Sequence, residues 1–243
     1  MRVSILVHRM GQGIVATGPA STAWAERQAI DVGAARAYLR RCGAVIARHA
    51  DALTRLDAAL GDGDHGDNLL AGFAAIEELL AADGPEVDGD LAGLLRSVGA
   101  TLVASVGGAS GPLYGSALME AGFAVRSMDG AGRLASLSIL LDAATAGLAR
   151  RGHCTLGDKT IYDTLAPAAD ALRAAVARGA DERTAMHEMV LAGARGMRST
   201  TAMVARRGLA MRLGERSRGH RDAGAASCLL LLCALAAKAP GVA

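Results

Sequence analysis

Apolar residues recur at helical spacing along most of this chain. From Asp31 onward Ala35, Leu39, Val45 and Ile46 fall on one face, and the pattern predicts a helix to about Leu56. A second apolar stripe predicts a helix from about Asn68 to Leu80, stopped by the breaker Asp83-Gly84-Pro85. Further helices are predicted over Leu91–Val106, Leu113–Val125 and Leu134–Arg150. Gly157-Asp158-Lys159-Thr160 opens a sixth, with Asp158 or Thr160 placed to cap it. A seventh is expected over Asp181–Val204 and an eighth from near Asp222 to near Lys238, before Pro240-Gly241. Residues 205–221 carry no helical pattern. Long alternating Val/Ile runs are missing, which argues against a sheet. Eight helices with short links fit an all-α, antiparallel bundle or barrel. Residues 1–30 lack periodicity and read as a poorly ordered N-terminal extension to a single helical domain over 31–243.

Composition sharpens this picture. Hydrophobic residues make up 51% of the 243, yet aromatics only 2%, so the core must be built from Ala, Leu, Val and Met. Alanine has the best intrinsic helix propensity, and small side chains let helices pack closely. A net charge of +2 is too small to imply a nucleic acid or a membrane surface as partner. The scarcity of aromatics also removes the platforms on which single strands stack. Cys42, Cys154, Cys228 and Cys233 are scattered without a CxxC pair, as expected of buried thiols in a reducing cytoplasm. His8 and Arg9 interrupt the first apolar run too early for a signal peptide, and no apolar run reaches membrane-spanning length.

The densest chemical signal lies at residues 57–68, where Asp57, Asp62, Asp64 and Asp67 place four carboxylates in twelve residues among glycines 61, 63 and 66. Such carboxylates repel one another unless a cation neutralises them. Oxygen ligands without thiols suit Mg²⁺ or Ca²⁺ better than Zn²⁺, and the usual reason for Mg²⁺ is a nucleotide phosphate. A solvated Asp/Gly turn is the competing reading. An EF-hand is excluded, because no Glu stands at the twelfth loop position. The other glycine-rich breaks also precede helices, so several helix N-termini with free N–H groups could face one anion. Gly107–Gly111 lacks the lysine of a Walker loop and equally fits a close helix crossing. Lys159 reads as a solvated surface charge. Residues 205–221 set six arginines (206, 207, 212, 216, 218 and 221) against Glu215. They read either as a phosphate-facing loop or as a mobile solvated one. His65 either orients a phosphate or caps a turn, and His220 beside Asp222 reads as a helix-start contact.

Four motifs in order, Asp57 with GDGDHGDN (61–68), SVGGASGPLYG (105–115), GDKT (157–160) and LGERSRGHRDAGAAS (213–227), resemble the nucleotide-binding L subunit of the dihydroxyacetone kinases from about Asp31 to the C-terminus. The resemblance implies an eight-helix antiparallel barrel with the nucleotide at one end. It implies two Mg²⁺ held by Asp57, Asp62 and Asp64. It also implies ADP or ATP contacts from His65, Gly66, Asn68, Ala109, Ser110, Gly152, Ile161, Asp222 and Gly224. A partner K subunit would hold dihydroxyacetone through a histidine, and a phosphotransferase-system M subunit would recharge bound ADP in the cytoplasm. A homodimer is compatible with this arrangement.

The chain departs from the family pattern at Leu209, where a basic residue that contacts the nucleotide is usual, with Arg207 or Arg212 as candidates for the displaced contact. It departs again at Arg212 for Tyr, Ala223 for Pro, Leu69 for Met, and at the added carboxylate of Asp67. The metal site is therefore expected to be intact and the lid altered. Three other readings follow: an ATP-dependent kinase for a related triose or tetrose, a nucleotide-dependent regulatory adaptor, and a nucleotide-binding relic without transfer activity.

Overall fold

The computed structural model describes residues 30–82 and 90–237. Among these it contains eight α-helices and no strand: α1 (Val32–Ala58), α2 (His65–Ala81), α3 (Leu91–Ser105), α4 (Ser110–Ala124), α5 (Arg133–Gly152), α6 (Tyr162–Ala177), α7 (Glu182–Ser199) and α8 (Ala223–Ala236). Short 3₁₀ segments follow α4 (Val125–Met128) and precede α8 (Leu209–Ser217). The predicted extension, the breaker at 83–85 and Lys238 lie outside the described residues.

Each helix packs on the next in sequence, and α8 packs back on α1, so the helices close a ring. The periodicity explains how. α1 buries Ala35, Leu39, Cys42, Ile46, Ala50 and Leu53, a stripe at three- and four-residue spacing. α8 is apolar on all sides and is buried from Ala225 to Leu230, packed against α1, α6 and α7. Small residues set the interhelical distance. A Cβ on Gly196 of α7 would stand 1.9 Å from the Asp163 carbonyl oxygen of α6, so only glycine permits this approach. The ring interior retains an apolar cavity of about 190 Å³ whose wall includes Tyr38, Leu69, Phe73, Leu95, Tyr114 and Leu231. Asp31, Asp90, Asp181 and Asp222 cap α1, α3, α7 and α8 by accepting backbone N–H bonds. All four cysteines are buried free thiols. Among the described residues no helix is long and apolar enough to cross a membrane.

Several boundaries differ from the sequence pattern. α2 begins at His65 rather than near Asn68, because the Asp57 carboxylate supplies its cap from another helix. α4 begins at Ser110 rather than Leu113. Pro112 sits in its first turn, where an amide hydrogen has no intrahelical partner to lose. α7 ends at Ser199 rather than Val204. There Thr200 turns the chain: its hydroxyl donates to the Met197 carbonyl and accepts from the Asp222 N–H. The segment expected to be irregular includes the 3₁₀ turns of 209–217, kinked at Gly214.

Alternation of helix direction positions the site. The α1–α2, α3–α4, α5–α6 and α7–α8 connections share one end of the ring. The N-termini of α2, α4, α6 and α8 therefore converge there.

Candidate functional site

These four connections enclose a cleft of about 390 Å³. Asp57, in the last turn of α1, organises its floor. Its Oδ2 accepts N–H bonds from Gly63 (3.0 Å), Asp64 (3.1 Å) and His65 (3.3 Å), drawing the glycine-rich loop around one carboxylate. The glycines make this turn possible, and Gly63 adopts φ +75°. Carboxylate oxygens of Asp57, Asp62 and Asp64 thereby come within 4.8 Å of one another on the cleft wall. Three clustered hard oxygen donors, two of them solvent-exposed, are a donor set suited to Mg²⁺. Asp67 is exposed and off the wall.

His65 lines the cleft and is fixed through both ring nitrogens. It is 7% exposed, with Nε2 2.9 Å from Ser227 Oγ and Nδ1 3.1 Å from Ser110 Oγ. Ser227 Oγ also meets the Tyr114 hydroxyl at 2.7 Å and donates to the Gly224 carbonyl at 3.0 Å. One assignment satisfies every partner. Ser110 donates to Nδ1, the Nε2 hydrogen and the Tyr114 hydroxyl both point to Ser227, and Ser227 donates onward. This requires a neutral ring, consistent with burial lowering the His65 pKa against the opposing pull of Asp57 and Asp64. The network ties α2, α4 and α8 together beneath the cleft. Ser227 and Tyr114 were not singled out by sequence reasoning.

The α5–α6 connection has its own keystone. Asp163 Oδ1 accepts from Gly157 N at 2.6 Å and Oδ2 from Thr160 N at 2.7 Å. The Thr160 hydroxyl accepts from Tyr162 N, as a capping residue would, but Asp158 does not cap α6. Asp158 instead accepts from Thr155 and from Arg207. Burial works against its charge, but the Thr155 N–H and the Arg207 guanidinium hold its carboxyl below the usual range. Lys159 corrects the sequence reading most sharply: it is 1% exposed, not solvated. With φ +63° it turns inward, and its Nζ donates to the carbonyls of Thr200 and His220, near the two ends of the α7–α8 connection. Burial lowers its pKa, opposed by Asp222. His220 thus contributes its carbonyl, and Asp222 itself caps α8 through Ala225 N at 2.7 Å.

Burial pushes the Asp222 carboxyl up to about 6, against the pull of the Ala225 N–H and Lys159, with Asp163 and Asp57 adding to the rise. A raised carboxyl pKa favours the protonated folded state. Its contribution to stability is therefore full below about pH 4 and is lost as pH rises through about 6. Urea titrations of the ligand-free protein from pH 4 to 7 are expected to show this decline. Asp222→Asn, which keeps a capping oxygen, is expected to flatten it. An unchanged slope in the variant would assign the decline to other groups.

The predicted site residues His65, Asn68, Ala109, Ser110, Gly152, Ile161, Asp222 and Gly224 all line the cleft with the three aspartates. Gly152 lies against Leu113 and Cys154, and Gly224 against the Asp222 carboxylate and Ile161, so Leu113, Cys154 and Ile161 give the cleft an apolar part. The Asn68 side-chain amide occupies the space a Cβ on Gly107 would need. Gly66 is the exception. It is buried and off the wall, and a Cβ there would stand 2.2 Å from the Ala50 carbonyl oxygen and 2.5 Å from Thr54 Oγ1. Its missing Cβ permits the close crossing of α1 and α2.

Residues 59–237 match the DAK2 domain family. The chain is 36% identical over 203 residues to the ADP-binding subunit DhaL of the PEP-dependent dihydroxyacetone kinase of Escherichia coli, covering 83% of this chain and 95% of that one. It is 38% identical over 198 residues to the ADP-binding subunit DhaL of PEP-dependent dihydroxyacetone kinase 2 of Listeria innocua, covering 80% and 88%. Among solved structures, the dihydroxyacetone kinase of C. freundii in its native form superposes with a TM-score of 0.61 at 26% identity. That match takes in 92% of this chain and 38% of the kinase, so this chain spans little more than a third of that protein's length. Sequence, fold and the carboxylate cleft agree that the chain belongs to the DAK2 domain family, among the DhaL subunits of dihydroxyacetone kinase.

Proposed function

We propose that the cleft binds ADP or ATP with Mg²⁺ and that the chain serves as the nucleotide-binding subunit of a dihydroxyacetone kinase. The observation that carries this reading is the carboxylate triad of Asp57, Asp62 and Asp64 facing a cleft on which four helix N-termini converge. Asp57, Asp62 and Asp64 would hold two Mg²⁺. Bound there, the metal would neutralise phosphate charge and polarise the terminal phosphoryl group. The protein's own part is positioning. Asp57 fixes the loop that presents the other two carboxylates, and free N–H groups at the helix starts meet anionic oxygens. The apolar part around Leu113, Gly152, Ile161 and Gly224 accommodates the base. The triose acceptor would be supplied on a partner K subunit, with an M subunit recharging ADP in place.

Leu209 favours a second reading. This exposed apolar side chain lines the cleft where the family pattern expects a cation, which would loosen nucleotide retention and favour an exchanging, ATP-dependent subunit acting on a related short sugar. Native mass spectrometry of freshly purified protein separates the two. A mass increment of ADP plus two Mg²⁺ is the expected result. An empty chain that takes up ATP–Mg²⁺ only on titration supports the exchanging enzyme, and no uptake at all rejects nucleotide binding.

A further inference from the structure

Of the six arginines in 205–221, Arg207 is the one on the cleft wall. Arg212 and Arg216 are exposed elsewhere, and Arg218 is engaged by Glu215 and the Ala202 carbonyl. Arg207 is held from one side. Its Nε donates to Asp158 Oδ2 at 3.2 Å, and the Asp158 main-chain carbonyl accepts from Arg206 N. Asp158 is itself buried and fixed by Thr155, so the anchor is rigid. A guanidinium bound through Nε keeps its two terminal nitrogens as an open fork, the geometry that meets a phosphate bidentately. The side chain remains 46% exposed.

Neighbouring groups do not offer the same. Lys159 is on the wall, but its ammonium is committed to the Thr200 and His220 carbonyls. Leu209 is apolar. Arg151 approaches from the end of α5, beside Gly152 and Cys154 on the apolar part. Three carboxylates and a nucleotide polyphosphate need compensating charge beyond the metal.

We infer that Arg207, positioned by Asp158, is the residue through which the arginine-rich loop contacts the polyphosphate, and that it separates ADP from ligands lacking phosphates. This rests on the nucleotide reading proposed above. The test is calorimetric titration of the full chain, first stripped of bound nucleotide and metal, with ADP–Mg²⁺, AMP and adenosine, run on wild type, Arg207→Gln, Arg207→Lys, Arg212→Gln, Asp158→Asn and the Arg207→Gln/Asp158→Asn double variant. Arg207→Gln is expected to weaken ADP binding about tenfold or more and leave adenosine binding unchanged. Arg212→Gln should stay within about twofold, as expected of a screened surface charge. Asp158→Asn should weaken ADP in the wild-type background and add nothing in the Arg207→Gln background, the mark of action through Arg207. Arg207→Lys should retain part of the affinity and a steeper salt dependence than Arg207→Gln. Equal ADP affinity in wild type and Arg207→Gln, or a parallel loss of adenosine, overturns the inference and leaves nucleotide binding standing. Failure of wild type itself to bind ADP–Mg²⁺ overturns the nucleotide reading first.

Discussion

Asp62→Asn is expected to abolish Mg²⁺-dependent nucleotide binding without destabilising the protein. Asp62 is exposed and makes no hydrogen bond within the described residues, so the fold does not depend on it. The substitution keeps side-chain volume and removes one of three charges drawn within 4.8 Å. Relief of carboxylate repulsion should leave the melting temperature of the metal-free protein equal or slightly higher. In a kinase reconstituted with partner subunits, transfer should fall about a hundredfold or more, the scale of losing a pre-set electrostatic contact. Asp57→Asn provides the contrast. Its carboxylate also gathers the N–H groups of Gly63, Asp64 and His65, so this variant should lose stability along with binding. Calorimetry with ADP–Mg²⁺, melting curves and a transfer assay read these quantities separately. Full transfer activity in Asp62→Asn would sink the metal site.

Gly66→Ala should cost about 3 kcal/mol of stability, at the upper end for overpacking, because the new methyl meets backbone rather than a side chain that can move aside. The atom struck is the Ala50 carbonyl oxygen of α1, and Thr54 Oγ1 closes the other direction. Urea unfolding of the ligand-free protein measures the loss. The family resemblance places Gly66 beside the nucleotide, whereas the structure places it in the α1–α2 seam. The two assignments separate cleanly: a variant of full stability that has lost ADP affinity would return Gly66 to the ligand.

Much of this architecture was legible because its determinants are local. The apolar stripe of α1 and the glycine breaks at 107–111 and 157 repeat at spacings that hold wherever the chain lies in space. The carboxylate triad was legible for the same reason, since its three members fall within eight residues. Lys159 was misread because nothing near it in sequence reports its burial. Its partners, Thr200 and His220, lie 41 and 61 residues away. Asp158 and Thr160 both stand close enough to the start of α6 to cap it, and the choice between them depends on Arg207 arriving from another connection to engage Asp158. Ser227 escaped notice as a serine in an apolar helix, since its meaning lies in His65, 162 residues distant.

By itself, then, the sequence determined the all-helical class, the eight α-helices of the described residues and the loop that concentrates negative charge, all consequences of period, propensity and short-range repulsion. Only the tertiary structure decided which groups complete the cleft. Closing the ring sets four connections at one end, buries His65, Lys159 and Asp163 among fixed partners, and selects Arg207 from six arginines. Those outcomes depend on distances between segments far apart in the chain, set by helix packing and by the hydrogen bonds it brings into reach.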